Sequence, residues 1–326
     1  MNITILNSKW NKLSEVKEIK GYKALRLSSE CIPDLFVGIN KEGNRCLILY
    51  LPDMVNIDFN GSEKENLTFE FVKDKKIILI KLNDEDFFDL FNDLIISLYN
   101  KTANLKNADD YSQVLIQTFY KWVEFFDDKR DSRLSTEQIK GFFGELIVLH
   151  DLLITASSSI VNQILLSWKG PYDHRNDFEL DKKNIEVKTK EVTKRDIRIS
   201  SEYQLEKALG KELELIIVSI EFDNMKGQSL HELLVEIRKI IRKKSGDLSI
   251  LLKALSQKGL TFDNTKLYNN VRLERVKLAV YSCDSEKFPK LIKSQLSEHI
   301  GNVKYNIVIS GLKKFIKYEG QFYDGN

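Results

Sequence analysis

The segment Asp177-Phe-Glu-Leu180, Asp181-Lys-Lys-Asn184, Ile185-Glu-Val-Lys188 constrains the fold more than any other part of the chain. Two runs of alternating apolar and charged residues flank a four-residue polar stretch, which is the pattern of a β-hairpin. Side chains along a strand alternate between faces, so Phe178, Leu180, Ile185 and Val187 are expected to share a buried face. With Leu180 opposite Ile185, Glu179 falls opposite Glu186 and Asp177 opposite Lys188, and all four charged side chains emerge together. Three carboxylates beside one ammonium repel one another unless a cation compensates. Mg²⁺ takes oxygen ligands, keeps several waters and needs only one or two carboxylates. It acidifies a bound water and stabilises charge on a phosphoryl group. A nearby lysine orients that water or offsets developing negative charge. These are the parts that phosphodiester hydrolysis requires. The spacing alone is also common on ordinary solvated hairpins, so its context decides.

Ahead of this hairpin the first hundred residues read as strands: Ile3–Leu6, Tyr22–Leu27, Leu35–Ile39, Cys46–Leu51, Leu67–Val72 and Ile77–Leu82. Turn-forming residues punctuate them at Asn40–Asn44 and Asn60–Ser62, which predicts an antiparallel β unit. Two helices follow, Asp84–Asn100 and Asp109–Phe126. The stripe of Tyr111, Leu115, Phe119, Trp122 and Phe126 has the period of a buried helix face, so it reads as core rather than as a base-stacking surface. The charged run Asp127–Arg133 marks a domain boundary, giving an N-terminal β-rich unit with trailing helices over 1–130, for recognition or assembly, and a second domain over 131–326. There Ser135-x-x-Gln138 is a capping box opening a long helix through Ile139, Phe142, Phe143, Leu146, Ile147, His150 and Leu153. After the hairpin come a strand end at Arg198–Ser201, a short helix near Glu202–Leu209 and a strand at Leu213–Ile220. Helices at Leu230–Arg242, Leu248–Gln257 and Phe288–Ile300 alternate with strands at Val271–Ser282 and Val303–Ile309. The fold class is α+β or α/β.

Five motifs stand in order around the hairpin: Gly141-Phe-Phe-Gly144-Glu145-Leu146, Trp168-Lys-Gly170-Pro171, Asp177-Phe178, Glu186-Val-Lys188-Thr189 and Ile199-Ser200-Ser201…Gln204-Leu205. Together they resemble the PD-(D/E)XK nuclease superfamily, and within it a bacterial branch associated with restriction and phage defence. The resemblance is strong from Gly141 to Ile220. It implies a restriction-endonuclease-like core, a mixed central sheet flanked by helices. It implies an Mg²⁺-dependent DNA endonuclease, with Mn²⁺ able to substitute. Carried over by position, Asp177 and Glu186 bind metal, Glu145 completes the metal site from its helix, and Lys188 assists the attacking water. The implied role is a restriction endonuclease or cleavage subunit acting on double-stranded DNA, as a homodimer or beside a methyltransferase or other restriction subunits. One departure stands out: Asn176, not proline, precedes Asp177. The alternative reading is a non-cutting nucleic-acid-binding or interaction module on the same fold.

Lesser candidates have bland counterparts. Gly141 and Gly144 would let their helix approach the sheet closely and bring Glu145 to the hairpin, against an exposed helix glutamate. Ser200, Ser201 and Gln204 would meet a phosphate at a helix N-terminus, against a plain N-cap. Between Asp181 and Arg198 seven Lys/Arg face four acids, so Lys190 and Arg198 could follow a DNA backbone or form a solvated edge. Glu179 reads as an extra ligand or a surface residue, and His174 as a proton-transfer group or an incidental loop histidine. The basic run Arg238–Lys244 suits a helix C-terminus.

Bulk properties exclude more than they assign. A net charge of +2 rules out a nucleic-acid coater that works by whole-surface charge, so contacts must be local. Cys31, Cys46 and Cys283 make a poor disulfide framework and a poor zinc site. No apolar run approaches the ~20 residues a membrane span needs, and no signal peptide is evident, so a cytoplasmic setting is expected.

Overall fold

The computed structural model describes residues 1–14, 21–53, 55, 61–126 and 134–321. It divides into two units, Met1–Lys129 and Arg130–Asn326. The charged run 127–133 and residue 60 of the turn at 60–62 lie outside the described residues.

The first unit begins with a helix where a strand was expected. α1 (Ile3–Ser14) buries Leu6, Trp10 and Leu13, and Asn2 Oδ1 accepts the Ile5 N–H at 3.0 Å as an N-terminal cap. The β-branched run at its start favours a strand locally, but the buried face recurs at helical spacing and tertiary packing overrides the propensity. Then come β1 (Tyr22–Arg26), β2 (Asp34–Asn40), β3 (Arg45–Tyr50), β4 (Ser62–Glu63), β5 (Leu67–Val72) and β6 (Ile77–Leu82). They form one sheet in the order β1-β2-β3-β6-β5-β4, antiparallel at every pairing. Cys46 to Leu49 and Ile77 to Ile80 are all buried, so β3 and β6 are covered on both faces. α2 (Phe88–Thr102) and α3 (Ala108–Trp122) bury the apolar stripes read from the sequence, with Phe119 stacked on Phe69 at 3.9 Å between centroids.

The second unit opens with α4 (Thr136–Thr155), whose Ser135–Gln138 capping box forms as expected. Its last carbonyls, orphaned as at any helix end, are met by Lys244 Nζ, which donates to Leu153, Ile154 and Ala156 at 2.6 Å each. α5 (Val161–Ser167) follows, then β7 (Phe178–Glu179), β8 (Lys183–Glu191), β9 (Asp196–Ile199), β10 (Glu212–Phe222), β11 (Gln228–Ser229), α6 (Leu230–Lys243), α7 (Leu248–Gln257), β12 (Arg272–Ser282), β13 (Tyr305–Val308) and β14 (Ile316–Gly320). The main sheet runs β11-β12-β10-β8-β7, with β14 also on β12. β8 and β10 pair in parallel and the other neighbours antiparallel, so the sheet is mixed and the class is α+β. α4 lies on one face, against Thr189. On the other face the pair β13-β9 caps a core of Ile197, Ile199, Leu215, Ile217, Tyr281 and Ile307. Among the described residues no helix is long and apolar enough to cross a membrane. The three cysteines are free and buried.

Two expected helices are absent. Residues 202–205 form a turn and 206–208 irregular backbone, with only Glu202 and Leu205 of 202–209 buried. Residues 288–300 hold one short 3₁₀ turn, Lys293–Gln295. Phe288, Ile292, Leu296 and Ile300 have helical spacing, but only the first two are buried and Ile300 is 46% exposed. A helix of that length draws its stability from packing an apolar face, and here half the stripe has nothing to pack on.

Candidate active site

The β7–β8 hairpin closes two residues tighter than the sequence suggested. Phe178, not Leu180, lies opposite Ile185, and Glu179 opposite Asn184. Leu180 N–H donates to the Lys183 carbonyl at 2.9 Å, leaving Asp181 and Lys182 as the turn. A slip of two residues keeps every side chain on its expected face, because the strand period is two. What changes is adjacency: continuing the register sets Asp177 beside Glu186 rather than beside Lys188.

Each charged group is held by the backbone or by a polar neighbour. Asp177 Oδ2 accepts the Val187 N–H at 2.7 Å. Glu186 is 1% exposed; its Oε1 meets Lys188 Nζ at 2.8 Å and its Oε2 accepts from Asn176 Nδ2 at 3.4 Å. Lys188 also donates to Gln204 Oε1 at 3.2 Å, and the same oxygen accepts the Ser200 N–H at 2.8 Å. Asn176 further donates to the Gln204 carbonyl at 2.8 Å and accepts from Asn184 Nδ2 at 3.2 Å.

Glu145 arrives from α4. A Cβ on Gly144 would overlap the Thr189 hydroxyl, so glycine is what lets the helix seat against β8. Gly141 has nothing within 4 Å of such a Cβ, and the expected role of both glycines falls to Gly144 alone. Trp168 Nε1 donates to Glu145 Oε2 at 2.8 Å. A Cβ on Gly170 would overlap Glu145 Oε2 and come within 3.0 Å of Asp177 Oδ1, so the Trp168–Pro171 loop presses bare backbone against the acidic cluster. Lys169 and Gly170 N–H groups hold the loop there by donating to the Asp177 carbonyl, at 2.7 and 3.1 Å.

The electrostatics are those of a site short of positive charge. Burial, then Glu186 and Glu145, push the Asp177 carboxyl well above its usual range. Burial raises Glu145 to about 7, with Glu186 adding to the shift and the Trp168 hydrogen bond, Lys258 and Lys188 opposing it. Burial raises Glu186 also, against the pull of Lys188 and Asn176. Burial would depress the Lys188 ammonium, but Glu186 and Asp177 outweigh it and the net shift is upward. One buried ammonium, with Lys258 reaching only Glu145, thus serves three carboxylates, and hard oxygen donors short of a countercharge suit a divalent cation. Among the described residues no group of three or more His, Cys, Asp or Glu side chains is placed to hold a metal ion as it stands. Mg²⁺ does not need one, since it retains water and takes one or two carboxylates.

The other candidates divide. Gln204 joins the site through Lys188. Ser200 contributes its N–H, and Ser201 Oγ accepts the Tyr203 N–H at 3.0 Å within a turn; no helix starts there, so the helix N-terminus expected at these residues is absent. Lys190 Nζ braces the β8–β9 loop, donating to the carbonyls of Glu191, Val192 and Lys194 at 3.0, 3.3 and 2.8 Å. Arg198 is exposed on β9. Glu179 and His174 pair with each other at 3.3 Å. The sequence alone assigned no role to Trp168, Gly170 or Asn176, although the first two belong to the Trp168–Pro171 motif. It assigned none to Lys258 either, at the end of α7, which bonds Asp173 at 2.5 Å and lies within electrostatic reach of Glu145. No local pattern marks Lys258.

A family model described as "Putative PD-(D/E)XK family member, (DUF4420)" matches residues 6–310 of the chain. No curated protein and no solved structure matches it.

Proposed function

The chain belongs to this PD-(D/E)XK family, whose superfamily consists mostly of nucleases that use divalent metals, and from that premise we propose that it is an Mg²⁺-dependent endonuclease of double-stranded DNA. The observation that carries the reading is the convergence of Asp177, Glu186 and Glu145 on a single ammonium, Lys188. Asp177 and Glu186 would hold the metal, and Glu145 would complete its site from α4. When bound, the cation supplies the positive charge the site lacks and stabilises charge on the phosphoryl oxygens. Lys188, fixed between Glu186 and Gln204, presents its remaining N–H to the attacking water or to a phosphate oxygen. Water adds to phosphorus, the P–O bond to the leaving sugar oxygen breaks, and the proton released by water passes to a site carboxylate. Glu145, near 7, exchanges protons close to neutral pH. Trp168 holds that carboxyl in one orientation.

The cellular role we assign is a cytoplasmic restriction endonuclease or the cleavage subunit of a phage-defence system, as a homodimer or with a methyltransferase or other restriction subunit. Plasmid cleavage in Mg²⁺ or Mn²⁺ tests the chemistry. Wild type is expected to cut, and Asp177→Ala and Lys188→Ala to lose at least ~100-fold in rate. Equal cutting by all three removes the assignment.

A second reading, a non-cutting DNA-binding module, draws on Glu186, both of whose oxygens are already engaged by protein donors. Titration with Mn²⁺ separates the two: a module of that kind binds no ion at Asp177 and Glu186.

A further inference from the structure

Two grooves flank β13 on the sheet face that carries Lys188. The β8–β10 register sets Ile217 beside Lys188 and Ser219 beside Lys190, and Ile217, Ser219 and Lys190 line the first groove, with a cavity volume of about 570 Å³. Its walls carry Lys190, Lys194, Arg195 and Lys277. The second groove, also about 570 Å³, has Tyr305 and Phe315 in its lining and Lys287, Lys290 and Lys314 on its walls. Tyr305 pairs with Ile199 of β9, one residue before Ser200, whose N–H shares Gln204 Oε1 with Lys188, so this groove borders the turn that holds the Lys188 ammonium. Val308, 59% exposed, lines both grooves and forms the ridge between them.

Among the described residues no Asp or Glu lines either groove, although the chain carries 48 acidic residues against 50 basic ones. The lining of both grooves is therefore basic, with Asp196 bonded to Asn306 at the margin of the second. Lys277 is paired with Glu319. Lys190 is held by three carbonyls, which fix its ammonium without neutralising it. Lys194, Arg195, Lys287 and Lys314 are exposed at the rims.

We infer that a DNA phosphodiester backbone crosses β13 through these two grooves on its way to Lys188. The inference rests on the endonuclease reading for its substrate class and on the groove charges for its path. A polyanion drawn into such walls releases condensed counterions, so binding weakens with salt by ~0.9 log units per log unit of salt for each duplex phosphate neutralised, and by ~0.7 for a single strand.

The experiment measures binding of labelled duplex and single-stranded DNA of equal length, in EDTA, across a salt series. Wild type is compared with Lys194→Gln/Arg195→Gln, with Lys287→Gln/Lys314→Gln, and with Lys239→Gln/Lys253→Gln, which removes two exposed charges from α6 and α7. Each groove pair is expected to lower the salt slope by about 1–2 and the affinity by roughly tenfold, and the α6/α7 pair to do neither. The probe with the larger loss identifies duplex or single strand as the occupant. Slopes for both groove pairs equal to that of the α6/α7 pair, or no binding by wild type, overturn the inference. Binding in EDTA needs no cleavage. A protein that binds through the grooves but never cuts removes the hydrolase reading alone, and one that cuts with unchanged slopes removes the groove path alone.

Discussion

The indole Nε1 of Trp168 donates to Glu145 Oε2 at 2.8 Å, joining the loop before the hairpin to the helix behind it. That bond lowers the proton affinity of a carboxyl that burial has raised to about 7. Trp168→Phe keeps most of the apolar volume against Phe142 and removes the donor. The Glu145 titration should then move to higher pH, and the protein should lose ~1–3 kcal/mol of stability for an unsatisfied buried acceptor. The pH–rate profile of cleavage and a denaturant melt check the two effects. An unshifted profile would mean that Glu145 is not the group that titrates in turnover.

The acidic cluster also fixes how stability depends on pH and on metal. For a carboxyl whose folded pKa is raised, the folded state holds more protons than the unfolded one between the two values, so stability falls as pH rises through that window. For Glu145 the window runs from 4.5 to about 7, and Asp177 and Glu186 shift in the same direction. The metal-free protein is therefore expected to be more stable near pH 5 than near pH 8, on the order of 3 kcal/mol from Glu145 alone. Added Mg²⁺ or Ca²⁺ should raise the melting temperature more at pH 8 than at pH 5, since ions compete with protons for the same oxygens. Glu145→Gln should flatten the metal-free profile. Melting temperatures that ignore the ion at both pH values would count against a metal centre.

The sequence told faces more reliably than neighbours. Alternation along Asp177–Leu180 and Ile185–Lys188 put Asp177, Glu186 and Lys188 on one side, and the two-residue slip of the hairpin preserved that. The slip itself was hidden, because a four-residue and a two-residue turn both suit Asp181–Asn184. Long amphipathic helices such as Thr136–Thr155 were legible from cap and period. Residues 202–209 and 288–300 were not, because their apolar spacing carries no record of whether a partner surface exists. α1 escaped for the opposite reason: three β-branched residues, Ile3, Thr4 and Ile5, obscured the wider Leu6, Trp10, Leu13 spacing. Lys258 reaches Glu145 only through tertiary structure, so no window of sequence contains the relationship.

The two glycines of the α4 motif should respond oppositely to alanine. At Gly144 an added Cβ overlaps the Thr189 hydroxyl, so Gly144→Ala is expected to cost ~1–3 kcal/mol and to push Glu145 away from the hairpin. Gly141 has open space, and removing glycine from a helix interior should stabilise by ~0.5–1 kcal/mol. Thr189→Ala should recover part of the Gly144→Ala loss, because it removes the closest atom. Chemical denaturation of the four variants checks this, and equal effects at both glycines would refute the close approach.

Gln204 offers the sharpest test of how Lys188 is held. Its Oε1 accepts from Lys188 Nζ at 3.2 Å and from Ser200 N at 2.8 Å, so one side chain ties the ammonium to the turn after β9. Gln204→Ala leaves Lys188 with Glu186 as its remaining partner and frees the turn. A catalytic group displaced by about an ångström loses ~100-fold, so cleavage should fall by ~10–100-fold with little change in DNA affinity. Gln204→Glu keeps an acceptor at the same reach and should retain more activity than alanine, with the Lys188 ammonium held at least as firmly. Single-turnover cleavage rates, read beside DNA binding in EDTA, separate positioning from binding. If Gln204→Ala cuts at the wild-type rate, the Glu186 contact alone sets the lysine in place and the turn serves only to close the chain.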